Sequence, residues 1–248
     1  MISKGYLTAI AQTHTGWVFD EGIQISQQDV LTMDQSLGLL AISQADDVVE
    51  QQGSAHMAIQ ILLDDMQVNL PMIAETADNN LSAASQCLME SIVNINEYLF
   101  DRYHNNKETV EQAISLCAIQ FQPGGLCAIT NRHLVIMLFH DGEIKTLGEQ
   151  LPSTKFGISS TIKAQVVEHN VVKDDILMIT TQTFLETIDK EFLRITLSRF
   201  GNNLAMALRQ VNTRASHKGQ SSKPVVMLAR IEKDLEKPIG WFNRLTKN

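Results

Sequence analysis

Residues 174–184 read DDILMITTQTF. Two acids open the stretch, four apolar residues follow, and the chain then turns to Thr180, Thr181, Gln182 and Thr183. An apolar run bounded by polar residues fits a buried strand, and its periodicity is also compatible with a short helix. A strand end is where rigid backbone can aim a side chain for chemistry. Here it aims hydroxyls and an amide, with no acid, cysteine or histidine. His133 and His140 are of a type that ligates metals or acts as a general base. Seven residues apart on one strand, they fall on opposite faces, so joint ligation is not expected and both read as surface histidines. Ser115 and Cys117 are potential nucleophiles without a recognisable base nearby. Cys87, Cys117 and Cys127 form no CxxC pair and read as small buried apolar side chains, not a disulfide scaffold. The chain shows no Gly-rich phosphate loop, no zinc-ligand spacing and no dinucleotide fingerprint.

The whole chain narrows the field further. Its 248 residues, 44% of them hydrophobic and 19% charged, suffice for one large domain or two small ones. The formal charge is −8, which supplies no general attraction for phosphate backbones, so no nucleic-acid partner is expected. The longest apolar runs, such as LVIMLF at 134–139, are far shorter than the ~20 residues of a membrane-spanning helix. Gln12 and His14 interrupt the N-terminal apolar stretch before a signal-peptide core forms. The expectation is a cytoplasmic protein without a transmembrane segment.

The elements that must position these residues follow from pattern. GLLAIS at 38–43 reads as a buried strand, opened by glycine and paired with the preceding segment. A polar, acidic stretch, QADDVVEQQGS, leads into a helix in which Met57, Ile61, Leu62 and Met66 recur near the 3.6 period. QVNLPMIAETADNN, with its proline and turn formers, reads as a connection. A second helix spans about 81–103, with Leu81, Ala84, Leu88, Ile92, Ile95 and Leu99 on one face. Ser82, Glu90, Asn94, Asn96 and Glu97 are expected around its polar side. From 113 onward the texture is strands: a hairpin through PGG at 123–125, another through Asp141-Gly142, then AQVVEHNVV and DDILMITT. Two helices, near 184–199 and 201–217, precede a last strand, KPVVMLARIE, with Pro224 at its start. Hairpin turns with helices in blocks predict α+β with an antiparallel core, not a doubly wound sheet.

In order and content these strands resemble the PPM (type 2C) metal-dependent Ser/Thr protein phosphatases over most of residues 10–231. QQDVLTMDQSLGLLAIS is similar to the family's Asn-Glu/Gln-Asp opening and its Gly-Leu-Phe-Ala-Val-Ala strand. LCAITNRHLVIMLFHDGEIKTL resembles the strand pair that carries Gly-Asp-Ser-Arg. DDILMITTQTFLETI resembles the Gly-Asp-x-Leu-Leu-Leu-x-Ser-Asp-Gly-Leu strand and helix, and SSKPVVMLARI lies where the family has Asp-Asn-x-Thr and its last strand. The resemblance implies a four-layer sandwich, two antiparallel β-sheets flanked by helix pairs. It also implies a cluster of aspartates holding two Mg²⁺ or Mn²⁺ ions that activate a water against phosphoserine or phosphothreonine. Hard dications take oxygen ligands, and negative charge must offset two metals about 4 Å apart.

Carried over residue by residue, the resemblance leaves that cluster nearly empty. Asp29 matches the first metal aspartate. The remaining aspartate positions fall on Gln44, His133, Gln182 and Ser221, with Ala45, Arg132, Leu134, Val135, Thr181, Thr183 and Ser222 around them. No phosphate-binding arginine is evident before the first motif. Asp174 and Asp175 match the family's Gly-Asp turn and are expected to face solvent. The implied function is a catalytically inactive pseudophosphatase, a regulatory or protein-binding module whose partner is a phosphoprotein or kinase, with no cofactor. The alternative is an active Ser/Thr phosphatase whose Mn²⁺ or Mg²⁺ site is rearranged around Asp29, Asp46 and Asp47, residues that otherwise read as a turn or cap and a solvated acidic loop. The domain is expected to span 1–236. In the tail, 237–248, Ile239, Trp241, Phe242 and Leu245 cluster among basic residues, either folding back on the domain or docking a partner.

Overall fold

Apolar runs as long as ISLCAIQF bury both faces of a strand, so each sheet must be covered on both sides. The computed structural model describes residues 10–17, 30–34, 37–45, 53–76, 82–105, 114–122, 125–130, 134–148, 156–162, 165–217 and 225–231. Strands β1 (Ile10–Trp17), β2 (Val30–Asp34) and β3 (Leu39–Ala45) come first. Helices α1 (Gly53–Thr76) and α2 (Ala83–Asn105) follow. Then come β4 (Ile114–Gln122), β5 (Gly125–Thr130), β6 (Leu134–His140), β7 (Glu143–Leu147), β8 (Gln165–His169) and β9 (Ile176–Thr181). Helices α3 (Gln182–Thr187), α4 (Lys190–Phe200) and α5 (Leu204–His217) precede β10 (Val225–Ile231). One sheet has the order β1-β10-β9-β6-β7 and the other β2-β3-β4-β5-β8, with antiparallel neighbours throughout. This is the α+β sandwich that the strand texture predicts.

Alternation sorts the side chains into three cores. Leu40, Ile42, Ile119, Ile136, Leu177 and Ile179 meet between the sheets. The opposite parity of β3, β4 and β5, including Leu39, Ala41 and Leu116, packs under α1 and α2 against Leu62, Met66, Leu88 and Ile95. The outer parity of β6, β9 and β10 packs against Phe184, Leu193, Leu197 and Val211 of α3, α4 and α5. The Asp141-Gly142 turn between β6 and β7 has φ of 48° and 79°, the two positive values a two-residue type I′ hairpin requires. All three cysteines are buried and free, as their spacing predicts.

The helices depart from expectation in three places. α1 runs through Pro71 to Thr76, where the proline predicted a connection. Pro71 and Gln67 lie on the solvent face, so the carbonyl that proline leaves without an amide donor can bond water. Leu62, Met66 and Leu70 meanwhile keep the buried stripe continuous. The 184–199 segment is two helices, because Ile188 is extended (φ −117°, ψ 128°) and Asp189 caps α4 through the Glu191 amide. Asn96, expected on the polar side of α2, is buried at 1% exposure. Its Oδ1 accepts from the Gly157 amide at 2.9 Å and its Nδ2 donates to the Ser159 carbonyl at 3.0 Å, tying the 156–162 loop to the helix. The first strand, β1, escaped the pattern reading altogether. Replacing Asn96 by Ala strands two loop groups, so Asn96→Ala should lower stability by about 2–4 kcal/mol and speed proteolysis near residue 157, measured by urea denaturation and limited digestion.

Candidate functional site

The two sheets end together at one edge of the sandwich. Register places Gln44 of β3 opposite Ser115 of β4, and alternation puts both on the interior face with Leu40, Ile42 and Cys117. Thr130 of β5 pairs with Cys117, and its hydroxyl donates to the Leu134 carbonyl of β6 at 2.8 Å, joining this end of one sheet to the other. Leu134 in turn pairs with Thr181 of β9. The apolar stripe between the sheets therefore gives way at this edge to Gln44, Ser115, Thr130 and Thr181, with Gln182 following directly. Ser115 and Thr181 are buried, and Gln44 and Gln182 are partly so. The buried hydroxyls of the adjacent Ser43 and Thr180 lie on the opposite parity, toward the helical layers, and are not part of this set.

The chemistry of the set is neutral. Thr181 is the N-cap of α3: its Oγ1 accepts from the Phe184 amide at 3.3 Å and lies 3.2 Å from the Thr183 hydroxyl. Phe184 is fully buried under the sheet, so the cap fixes where the chain leaves β9. Gln182 is the first residue of α3. Amides and hydroxyls in these places offer oxygen ligands without the charge that two dications require, and so do not fit the implied two-metal group. Among the described residues no three His, Cys, Asp or Glu side chains gather where they could hold a metal ion. Asp29, Asp46, Asp47, His133 and Ser221 lie outside the described residues, as do Arg132, Ser222 and the tail residues Ile239, Trp241, Phe242 and Leu245. Nucleophilic chemistry from the thiols is also disfavoured. Burial pushes Cys127 up to about 12, burial reinforced by the Asp65 and Glu90 charges does the same to Cys87, and burial alone raises Cys117.

The acids that open the 174–184 stretch behave differently from expectation. Asp174, at φ 71°, is exposed and occupies a left-handed turn position, but Asp175 is buried at 3% exposure. Its Oδ1 meets His140 Nδ1 at 2.6 Å and its Oδ2 accepts from the Val172 amide at 2.9 Å. Its carbonyl accepts from the Ile231 amide, and the Asp174 amide donates to the Ile231 carbonyl. The Asp175 carboxylate thus ties the end of β6 to the turn before β9, and backbone bonds tie that turn to β10, at the edge opposite Thr181. His140 is correspondingly half-buried and paired, not a free surface histidine. Sequence alone could have found the pair only through the Phe139–Ile176 register, which sets His140 across from Asp175.

The serine/threonine phosphatase of S. agalactiae superposes with a TM-score of 0.68 at 15% identity, covering 89% of this chain and 100% of that one. PstP/Ppp of Mycobacterium tuberculosis gives 0.65 at 12%, covering 89% and 99%. PppA, a key regulatory component in Pseudomonas aeruginosa, gives 0.64 at 12%, covering 90% and 99%. The chain has the PPM phosphatase fold. At these identities the likeness establishes the fold, and the resemblance carried by the strand motifs holds at that level. No protein-family model and no curated protein matches the sequence.

The His140–Asp175 pair makes a pH prediction. Its hydrogen bond with Asp175, and then the carboxylate charge, raise His140 above the ordinary histidine value. A raised folded value means that the stabilisation is complete below the unfolded pKa of about 6.5 and is lost as pH rises through the folded value. Urea denaturation should therefore show wild type exceeding His140→Gln most near pH 5.5, with the gap narrowing toward pH 9 by less than about 1 kcal/mol, since the ring is over a third exposed.

Proposed function

We propose that this protein is a catalytically inactive PPM-type domain, a pseudophosphatase that serves in the cytoplasm as a regulatory or protein-binding module. The observation that carries the reading is the β9–α3 junction. The strand and helix that would present a metal aspartate are in place, but Gln182 stands at that position and the Thr181 hydroxyl is committed to capping the helix. Gln44 at the end of β3 supports the same reading from the other sheet, and the sequence match adds His133 and Ser221. A carboxamide nearly keeps the shape of a carboxylate and removes its charge, and the loss recurs at four positions. Hydrolysis by a two-metal water would then have neither the metals nor the nucleophile they generate.

The described residues give a sandwich with neutral polar side chains at this edge, which suits binding without turnover. A protein partner, a phosphoprotein or a kinase, is the class that a phosphatase-like surface would engage. That PppA is itself a regulatory component supports a regulatory use of this fold. No helix among the described residues is long and apolar enough to cross a membrane.

Purified full-length protein should release no phosphate above background from p-nitrophenyl phosphate or phosphothreonine peptides in the presence of Mn²⁺ or Mg²⁺. Metal-dependent turnover that Asp29→Ala abolishes would overturn this reading and establish an active phosphatase with a site rearranged around Asp29, Asp46 and Asp47.

A further inference from the structure

The two outer helical layers of the sandwich carry opposite charge. α1 and α2 together hold six acidic residues and a single base, Arg102, a net −5. α3, α4 and α5 hold Lys190, Arg194, Arg199, Arg209 and Arg214 against Glu186 and Glu191, a net +3, with the α4 cap Asp189 beside them. In a chain whose total charge is −8, the α4–α5 layer is thus a basic face on an acidic molecule.

Each face also leaves apolar side chains in water. On the acidic layer Val68 is 61% exposed and Val93 is 42% exposed. Val68 lies one turn beyond Asp65 and Val93 adjoins Asn94, so both flank the 2.9 Å Asn94–Asp65 hydrogen bond that ties the two helices together. On the basic layer Ile195 is 52% exposed. Phe192, Ile195 and Arg199 recur at spacings of three and four on one side of α4. The Arg214 guanidinium lies 5.6 Å from the Phe192 ring centroid and that of Arg199 lies 5.3 Å from Phe200. Stacking holds these two cations beside an apolar centre, and among the described residues neither makes a salt bridge, whereas Arg194 is engaged by Glu191. Arginine and aromatic side chains around an apolar anchor, facing a surface of opposite sign, have the composition of protein interfaces.

We propose that the α4–α5 face of one copy docks on the α1–α2 face of a second copy. Pairing either face with itself would oppose like charges, so only the head-to-tail contact is complementary. Because the two faces lie on opposite outsides of the sandwich, a bound pair keeps one free face of each kind. The contact is heterologous and extends into open chains instead of closing as a two-fold dimer. Most of the attraction is between exposed charges, so it weakens with salt.

Sedimentation velocity on the full chain tests this directly. At low salt the average mass should grow with concentration into the hundreds of micromolar, and about 0.5 M salt should return the monomer. Ile195→Asp removes one face and Val68→Lys, which sets a positive charge on the acidic layer, removes the other; both sites are exposed, so each variant should melt as wild type does. Each alone should stay monomeric at low salt, and an equimolar mixture should form a one-to-one dimer and nothing larger. A wild type that stays monomeric at low salt, a single variant that still assembles, or a mixture that stays monomeric would overturn the proposal. A monomeric wild type that binds a labelled polyglutamate peptide, with binding lost in Ile195→Asp, would also overturn it and assign the basic face to a foreign acidic partner.

Discussion

Leu40, Ile42, Ile119, Ile136, Leu177 and Ile179 meet between the two sheets, and the other layers are hung on that contact. Each fully buried side chain of this kind contributes about 1.5–3 kcal/mol relative to exposure. Strand alternation then fixes what the opposite parity must do: Leu39, Leu116, Ile176 and Met178 have to be covered, and the helical layers cover them. Among the described residues the interior stripe turns polar where β3 and β9 end, at Gln44, Ser115 and Thr181. That edge is positioned by the core and does not hold the core together. Clustered carboxylates without bound metal repel one another, so neutral residues there relieve a strain that an active site would carry.

Much of the sandwich was legible in the sequence because local rules and the tertiary fold agree. The Asp141-Gly142 hairpin, the β4–β5 hairpin and the apolar stripe of α2 are cases where turn chemistry or periodicity points to the structure found. The misses have physical causes. Pro71 signals a break, but on an exposed helix face its missing amide does not outweigh the burial of Leu62, Met66 and Leu70. Asn96 has the composition of a surface position, yet a loop distant in sequence brings it a donor and an acceptor, which no window around residue 96 contains. Asp175 likewise looks like a solvated turn acid until β6 supplies His140.

At the candidate site the residue types were legible and their arrangement was not. A glutamine at 182 after an apolar strand is plain from residue types, and the structure adds that Thr181 caps the helix through the Phe184 amide. That Gln44 and Thr181 share one edge was not readable from spacing. It depends on the register of two different sheets and on the Thr130–Leu134 hydrogen bond that joins their ends.

The central claim is that the described residues of this edge, Gln44, Ser115, Thr181 and Gln182, lack the negative charge needed for a two-metal centre. Isothermal titration of the full-length protein with Mn²⁺ at neutral pH tests it most directly. The account predicts no saturable heat in the micromolar range. Two saturable sites, with a melting temperature that climbs as bound ligand adds about 2.7 kcal/mol at a hundredfold excess over Kd, would contradict it.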